Sequence, residues 1–319
     1  MNRPVVGNEV AARPSVTTAM VRRRLLGRRT EIGGFLFQGA LLLCLLLALA
    51  VLVALLTDIF GDGWGVLRDR GFQFVNSGIS SIPERAGVRQ GIVGSLTLMM
   101  FVLLLAFPLG IGAAIYLEEY APDTRFTRII NANIRNLAGV PSIVYGVLGV
   151  VIFVQLNGIN DITGGRSAIS GGLTMAILVL PIVVITAAEA LRAVPQSIRE
   201  AGYGVGATRW EVIRSHVMPY AAPGIFTGTI LTLARAFGET APLIMIGAAT
   251  GFLSTGGGSF VDRLQGPYTA MPTLVYSYVR RSQRAFGPVT AATILVMLVI
   301  LLLVNAIAIL LRNRYERKW

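Results

Sequence analysis

Two ionisable side chains, Arg235 and Glu239, stand four residues apart inside an otherwise apolar stretch, LTLARAFGETAPLIMIG. In a continuous helix this spacing places both side chains on the same side. Insertion scales put the cost of either charge at a bilayer centre at about 2.5–3.5 kcal/mol. Charges that persist at such a cost face a water-filled path or an ionic partner. The pair therefore indicates either a station for a charged solute crossing a membrane or a structural ion pair.

An oxyanion is the solute that this chemistry favours. The guanidinium of Arg235 stays protonated and can bind phosphate oxygens with two parallel hydrogen bonds. Because a carboxylate repels an anion, Glu239 needs a separate explanation. Glu239 either accepts a hydrogen bond from a protonated phosphate oxygen, which sulfate lacks, or holds Arg235 until the anion displaces it. The Thr240 hydroxyl either reaches the same path or bonds its own helix backbone.

Long apolar segments must position this pair. The chain has 319 residues, of which 54% are hydrophobic and 14% charged. Six runs of about 17 to 26 residues suit a bilayer, and only the pair described above interrupts them. Backbone polar groups in lipid must be bonded within their own segment, so these runs predict an all-α integral membrane fold with six transmembrane helices. The predicted spans cover residues 35–56, 92–117, 139–156, 172–188, 225–249 and 288–311.

The basic residues are distributed unevenly between the two sides of the predicted membrane. In a soluble chain, the net charge of +12 would suggest nucleic acid binding. Here eighteen basic residues collect on the side of both termini and nine on the other side. The positive-inside rule then places both termini in the cytoplasm, and we expect membrane lipids rather than nucleic acid as partners. The last outer loop, with Arg280, Arg281 and Arg284, departs from the rule, but long loops count less in it.

Several catalytic chemistries are disfavoured by the composition. Cys44 is the only cysteine and His216 the only histidine, so we expect neither an intrachain disulfide nor a zinc site. A phosphate-binding P-loop needs a Gly-Lys pair, and the sole lysine is Lys318. Any ATP hydrolysis must therefore take place on another subunit.

The longest polar interruption on the cytoplasmic side lies between the fourth and fifth spans, AVPQSIREAGYGVGATRWEVIRSHVMPYAAPGI. Ser197 with Glu200 has capping-box spacing, and so has Thr208 with Glu211. These pairs predict two short helices. Three glycines are predicted to form the bend between them: Gly202, Gly204 and Gly206.

The second of these helices carries a narrow apolar stripe. Trp210, Ile213 and Val217 recur at helical spacing on one side of it. Such a stripe on a short cytoplasmic helix needs a partner surface. That surface is either the helix ends of this chain or a groove on another protein.

The same segment resembles the EAA loop of ABC-transporter permeases. Glu200-Ala201-Gly202, Gly206 and Met218-Pro219 follow the family pattern, including its nineteen-residue step from Glu to Pro. Gly202 departs from the usual alanine, and His216 replaces a usual aliphatic residue. The resemblance implies that the loop is a coupling helix seated in a cleft of a cytoplasmic ATPase subunit. The docking residues that it implies are Glu200, Ala201, Gly206, Trp210, Ile213 and Pro219.

Three further stretches resemble the permeases of the high-affinity phosphate importer: PLGIGAAIYLEEYAP at 108–122, GVPSIVYGVLG at 139–149 and RAFGETAPL at 235–243. The Gly-Glu-Thr-Ala-Pro form is similar to the PstA-type subunit rather than its PstC-type partner. The resemblance implies a five-helix type I ABC permease core plus one N-terminal helix, in the plasma membrane of a bacterium. It also implies a substrate pathway at Arg235, Glu239 and Thr240.

The resemblance further implies a set of partners. These are a PstC-type second permease subunit, two PstB-type ATP-binding subunits and a PstS-type extracytoplasmic phosphate-binding protein. ATP is then used by the partner subunit, and no cofactor is bound by this chain. Two alternatives stay open: an ABC permease for another oxyanion, such as molybdate or sulfate, and an integral-membrane enzyme acting on lipid phosphates. The carboxylates in the sequence are dispersed, which disfavours the metal site that such an enzyme needs.

Four segments follow from these patterns. Residues 1–33 form a basic cytoplasmic arm, of which 1–19 are expected to be disordered. Residues 34–90 comprise the first transmembrane helix and an outer loop, 91–311 the permease core, and 312–319 a basic cytoplasmic tail.

Three acidic residues follow the second apolar run: Glu118, Glu119 and Asp123. Carboxylates just beyond a span are typical of a solvated helix end. We therefore expect all three to lie in water.

Overall fold

The computed structural model describes residues 32–248 and 260–315. The predicted basic arm up to residue 31, the end of the predicted fifth span at 249 and the last four residues lie outside these ranges. Regular structure in the described ranges is helical throughout, which confirms the predicted fold class. The longer helices are α1 Ile32–Asn76, α2 Arg89–Tyr120, α3 Arg125–Ala138, α4 Ser142–Gln155, α6 Ala168–Arg192, α8 Arg209–Gly238 and α12 Phe286–Tyr315. Five shorter helices connect them: α5 Ile159–Thr163, α7 Gln196–Gly204, α9 Ala241–Ile246, α10 Phe260–Leu264 and α11 Met271–Val279.

Three of the long helices contain π-helical turns. In α2 these turns lie at Val102–Ala106 and Tyr116–Tyr120. The last six residues of α4, Val150–Gln155, and the segment Ile213–Val217 of α8 have the same geometry. Turns of this kind often occur at functional sites.

Within the described residues, five helices are long and apolar enough to cross a membrane: α1, α2, α6, α8 and α12. A sixth crossing exists if α3 and α4, which meet at an angle of 98°, form one broken span. The predicted third span at 139–156 therefore differs from a simple crossing. At about 1.5 Å per residue, α4 is only about 21 Å long, which is shorter than the hydrocarbon core of a bilayer.

The first helix extends well beyond the predicted span at 35–56. It has 45 residues, and its apolar part as far as Thr57 is exposed and forms one of two compact units of the chain. A helix that is apolar on all sides and exposed suits a lipid environment. From Asp58 onward the chain forms the second unit, in which Gly63 lies directly against the backbone of Ala291 in α12.

The core of the second unit is built around α6. Residues of α2, α6, the end of α8, α11 and α12 share one large apolar cluster that includes Met175, Phe237 and Leu274. A second cluster joins the C-terminal parts of α2 and α6 to the N-terminal part of α8, and Ala114 and Leu191 are among its fully buried members. The second cluster supports the loop between the fourth and fifth predicted spans.

Candidate substrate path and docking surface

Helix α8 ends at Gly238, so Arg235 and Glu239 do not belong to one continuous helix. The backbone of Glu239 is extended, with φ −71° and ψ 124°. A continuous helix would need an N–H on Pro242 to donate to the carbonyl of Gly238, and proline has none. The prediction of a single helix through the pair was therefore wrong. The fifth span runs from Arg209 to Gly238 rather than from 225 to 249.

Arg235 and Glu239 nevertheless meet across this helix break. The Nε atom of Arg235 lies 3.6 Å from Oε1 of Glu239, which is longer than an ordinary hydrogen bond. The Arg235 side chain is 60% exposed and that of Glu239 17% exposed. The guanidinium is therefore held near its counter-charge without being enclosed, and it can still receive an anion.

Thr240 follows the pair at the start of α9. Its hydroxyl donates to the carbonyl of Gly238 at 3.4 Å. Of the two roles considered for Thr240, this contact favours the backbone role, because the hydroxyl caps a carbonyl freed by the helix break.

Arg235 belongs to an exposed stripe on α8. Leu231, Arg235 and Gly238 are exposed and recur at helical spacing, whereas Ala236 and Phe237 on the opposite side are buried. The stripe is therefore the side on which the last two turns of α8 do not pack against this chain, whereas earlier on the helix Gly224 lies against Ala190 of α6.

Two sequence motifs that are far apart in the chain, PSIVYG and GETAP, pack directly against each other. A Cβ atom on Gly146 of α4 would lie 2.7 Å from Cα of Pro242 in α9. Only glycine allows this approach. The hydroxyl of Tyr145 donates to the carbonyl of Leu137 at 2.9 Å, which holds the bend between α3 and α4. The PSIVYG segment thus supports the GETAP segment from inside the fold.

The loop between α6 and α8 has one of its two predicted capping boxes. Thr208 caps α8, since its Oγ1 accepts from the Glu211 N–H and its own N–H donates to Glu211 Oε2 at 2.7 Å. The predicted box at Ser197 was wrong, because α7 already begins at Gln196 after Pro195.

The predicted glycine bend is narrower than expected. Gly202 and Gly204 lie within α7, and Gly206 alone makes the turn, with a φ of +83° that favours glycine. Gly202 is buried against Val212, which packs α7 onto the first turn of α8.

The apolar stripe at the start of α8 divides between two environments. Trp210 is 56% exposed, whereas Ile213 and Val217 are fully buried within this chain. Ile213 therefore supports the loop from inside, and its predicted place on an exposed docking surface was wrong. The other predicted docking residues, Glu200, Ala201, Gly206, Trp210 and Pro219, are exposed. Sequence reasoning missed Val205, which is exposed beside them.

The acidic residues after the second span do not all lie in water. Asp123 is 89% exposed, as predicted, and lies 3.5 Å from Arg128. Glu119 is buried, and both Glu118 and Glu119 pair with arginines at the end of α6 and in α7. The sequence signal for these pairs was weak, because the partners are 74 and 80 residues away.

In the part of the chain that the structure describes, no three His, Cys, Asp or Glu side chains are grouped closely enough to hold a metal ion.

Residues 106–318 match the family described as binding-protein-dependent transport system inner membrane component. The chain is 31% identical over 267 residues to the phosphate transport system permease protein PstA 1 of Mycobacterium tuberculosis, covering 83% of this chain and 84% of that protein. It is 34% identical over 215 residues to the probable ABC transporter permease protein YqgI of Bacillus subtilis, covering 67% and 70%. It is 32% identical over 234 residues to the phosphate transport system permease protein PstC of Mesorhizobium japonicum, covering 67% and 71%.

Solved structures show the same fold. A chain of a bacterial ABC transporter involved in the import of the acidic polysaccharide alginate superposes with a TM-score of 0.62 at 15% identity, covering 90% of this chain and 100% of that one. A chain of the inward-facing MetNI methionine ABC transporter superposes with a TM-score of 0.56 at 15% identity, covering 72% and 98%. Permeases of the matched family bind no cofactor and work with a second permease subunit, ATP-using ATPase subunits and a binding protein. This chain therefore belongs to the binding-protein-dependent permease family, as a multi-pass inner-membrane component of an ABC importer in which a separate subunit is the ATPase.

Proposed function

We propose that this permease carries inorganic phosphate into the cytoplasm as a PstA-type subunit. Its partners would be a PstC-type permease, two PstB-type ATP-binding subunits and a PstS-type phosphate-binding protein. Relatives that are named as PstA and PstC proteins are 31% and 32% identical to it over the aligned residues, and its GETAP sequence favours the PstA type. The family assignment removes the alternative of an enzyme acting on lipid phosphates.

The observation that carries the proposal is the exposed guanidinium of Arg235. It lies in the last two turns of α8, on a side that the helices of this chain leave uncovered there. Exposure of this charged group to lipid would be costly. We therefore infer that a second permease subunit covers this side and encloses the guanidinium in a polar path. In such a partly dehydrated path, the attraction of an arginine for a divalent anion is several times its value in water.

The same proposal assigns the exposed part of the loop between α6 and α8 to ATPase docking. Glu200, Ala201, Gly206, Trp210 and Pro219 would form this surface. The distribution of basic residues supports a cytoplasmic location for the loop and for both chain termini.

Trp210→Ala is expected to lower the amount of ATPase subunit that co-purifies with the permease by about tenfold, because exposed tryptophans are frequent hot spots of protein interfaces. Quantitative co-purification from membranes measures this loss. Trp64→Ala is a matched control, since Trp64 is also half-exposed but lies in α1. Undiminished ATPase on the Trp210→Ala permease would contradict the docking assignment.

Glu239→Gln separates the two roles considered for the carboxylate. If Glu239 accepts a hydrogen bond from protonated phosphate, the variant should lose about tenfold of its preference for phosphate over sulfate. Uptake of both labelled anions into vesicles that carry the whole complex measures the ratio. Glu84→Gln, at an exposed carboxylate outside the span, should leave it unchanged. Unaltered selectivity in Glu239→Gln would instead assign Glu239 to holding Arg235.

Competition tests the proposed substrate itself. An arginine fork binds sulfate and molybdate as well as phosphate, so permeation of another oxyanion is the alternative. Vesicles with the reconstituted complex and its binding protein should accumulate labelled phosphate in the presence of excess sulfate or molybdate. If excess sulfate or molybdate suppressed the accumulation of labelled phosphate, the competing anion would take the place of phosphate as the proposed substrate.

A further inference from the structure

The last turn of α2 contacts three arginines from three successive segments of the chain. This turn, Tyr116–Tyr120, is π-helical, and the Ala121 N–H donates to the Tyr116 carbonyl at 2.8 Å. Its last three side chains each contact one arginine. The contacts are Glu118 with Arg192 at the end of α6, Glu119 with Arg199 in α7, and Tyr120 with Arg209 in the first turn of α8. We call these three residues of α2 the Glu-Glu-Tyr clamp.

The contact between Glu118 and Arg192 is a two-point ion pair. Nε of Arg192 donates to Oε2 of Glu118 at 2.8 Å, and Nη2 donates to Oε1 at 2.5 Å. Parallel bonds of this kind fix the relative orientation of the two groups as well as their distance. The end of α2 is therefore oriented against the end of α6.

Arg199 joins three elements at once. Its Nη2 donates to Oε1 of Glu119 at 2.7 Å, and the side chains of Arg199 and Glu119 are only 14% and 5% exposed. Arg199 also donates to the carbonyls of Leu191 at 2.9 Å and Val194 at 2.7 Å, at the end of α6 and just beyond it. Because a buried carboxylate is costly without its counter-charge, Glu119 and Arg199 must move together.

The third contact reaches the far side of the docking loop. The guanidinium of Arg209 lies 5.1 Å from the centre of the Tyr120 ring, within the range of a cation–π interaction. Arg209 is the first residue of α8 and follows the Thr208 cap. The clamp thus holds the loop at both of its helices, α7 and α8.

The proposed docking residues lie on the other side of the same loop. Arg199 is turned inward to Glu119, while the next residue, Glu200, is exposed. Trp210 is likewise exposed beside Arg209. A force applied to the exposed side would therefore be transmitted through the three arginines to α2.

We propose that the Glu-Glu-Tyr clamp is a positioning device that makes α2 move with the ATPase-docking loop. The inference rests on the proposed docking function of that loop. The loop is also continuous with α8, which carries Arg235. The clamp adds a second connection, so that displacement of the loop shifts α2 and α8 together rather than α8 alone.

Charge reversal at the partly exposed pair tests this device in the complete complex. Glu118→Arg is expected to raise the ATP hydrolysed per anion transported by about fivefold, while ATPase subunits still co-purify. Combining it with Arg192→Glu should restore the ratio to within about twofold, because the pair is re-formed with opposite polarity. The ratio is measured in vesicles with whichever of phosphate, sulfate and molybdate the wild-type complex accumulates. Asp123→Arg is the matched control, since Asp123 is a nearby but exposed carboxylate.

A purely structural role predicts a different pattern. Loss of folding would lower the yield of complex but leave the ratio in the remaining complex at its wild-type value, and that result would overturn the clamp. If Glu118→Arg yields too little complex, Glu118→Gln and Arg199→Lys give the same ratio measurement with milder changes. Failure of the docking assignment would appear separately, as normal ATPase binding to the Trp210→Ala permease. If the phosphate assignment is wrong, the wild-type complex will accumulate another anion, and the test of the clamp is then made with that anion.

Discussion

Arg235→Ala is expected to reduce phosphate uptake by about 100-fold while the permease still assembles with its partner subunits. The guanidinium is 60% exposed and 3.6 Å from its carboxylate, so it is available to an anion and contributes little to packing. Removing it leaves Glu239 as an uncompensated negative charge beside the path, which repels the solute further. Uptake of labelled phosphate into vesicles that carry the reconstituted complex measures the loss.

Two variants make the Arg235 result specific. Leu231→Ala removes an exposed apolar side chain one turn earlier on the same stripe. This variant should leave uptake within about twofold of wild type. Arg235→Lys keeps the charge but loses the planar fork, so we expect intermediate uptake. If Arg235→Ala instead prevented assembly of the complex, the pair would be a structural ion pair, and the substrate path would have to lie elsewhere.

Gly206→Val is expected to detach or uncouple the ATPase. Gly206 has a φ of +83°, and a residue with a Cβ atom in that region costs about 1–2 kcal/mol, more when the side chain is branched. The turn would shift to relieve this strain and would carry Glu200 and Trp210 out of their relative positions. We expect co-purified ATPase or solute-dependent ATP hydrolysis to fall by about tenfold.

Gly204 provides the matched control for this strain. Added Cβ atoms at Gly204 and Gly206 would both meet open space, but Gly204 lies within α7 at an ordinary negative φ. Gly204→Val should therefore retain nearly all co-purified ATPase. Normal uptake together with a full complement of ATPase in Gly206→Val would count against the docking surface, since the turn that presents it would then be dispensable.

The sequence alone determined the environment of this protein and the chemistry of its candidate site. Apolar runs longer than a buried core helix require a bilayer, and in a bilayer each helix must satisfy its own backbone. A side-chain cap is also a local feature, and residues three apart predicted the Thr208 box correctly, although the same spacing at Ser197 formed no box. Arg235 and Glu239 could be identified from the sequence because they lie within an apolar segment. The free-energy cost of a charge in such a segment depends on its immediate neighbours in the chain.

Only the tertiary structure decided which polar groups meet and which apolar residues are covered. Glu118 and Glu119 looked like a solvated helix end, but arginines 74 and 80 residues away pair with them. Ile213 looked like part of an exposed stripe, but neighbouring helices bury it while Trp210 stays exposed. Hydropathy and helical periodicity describe one segment at a time, whereas ion pairing and burial depend on which segments the fold brings together.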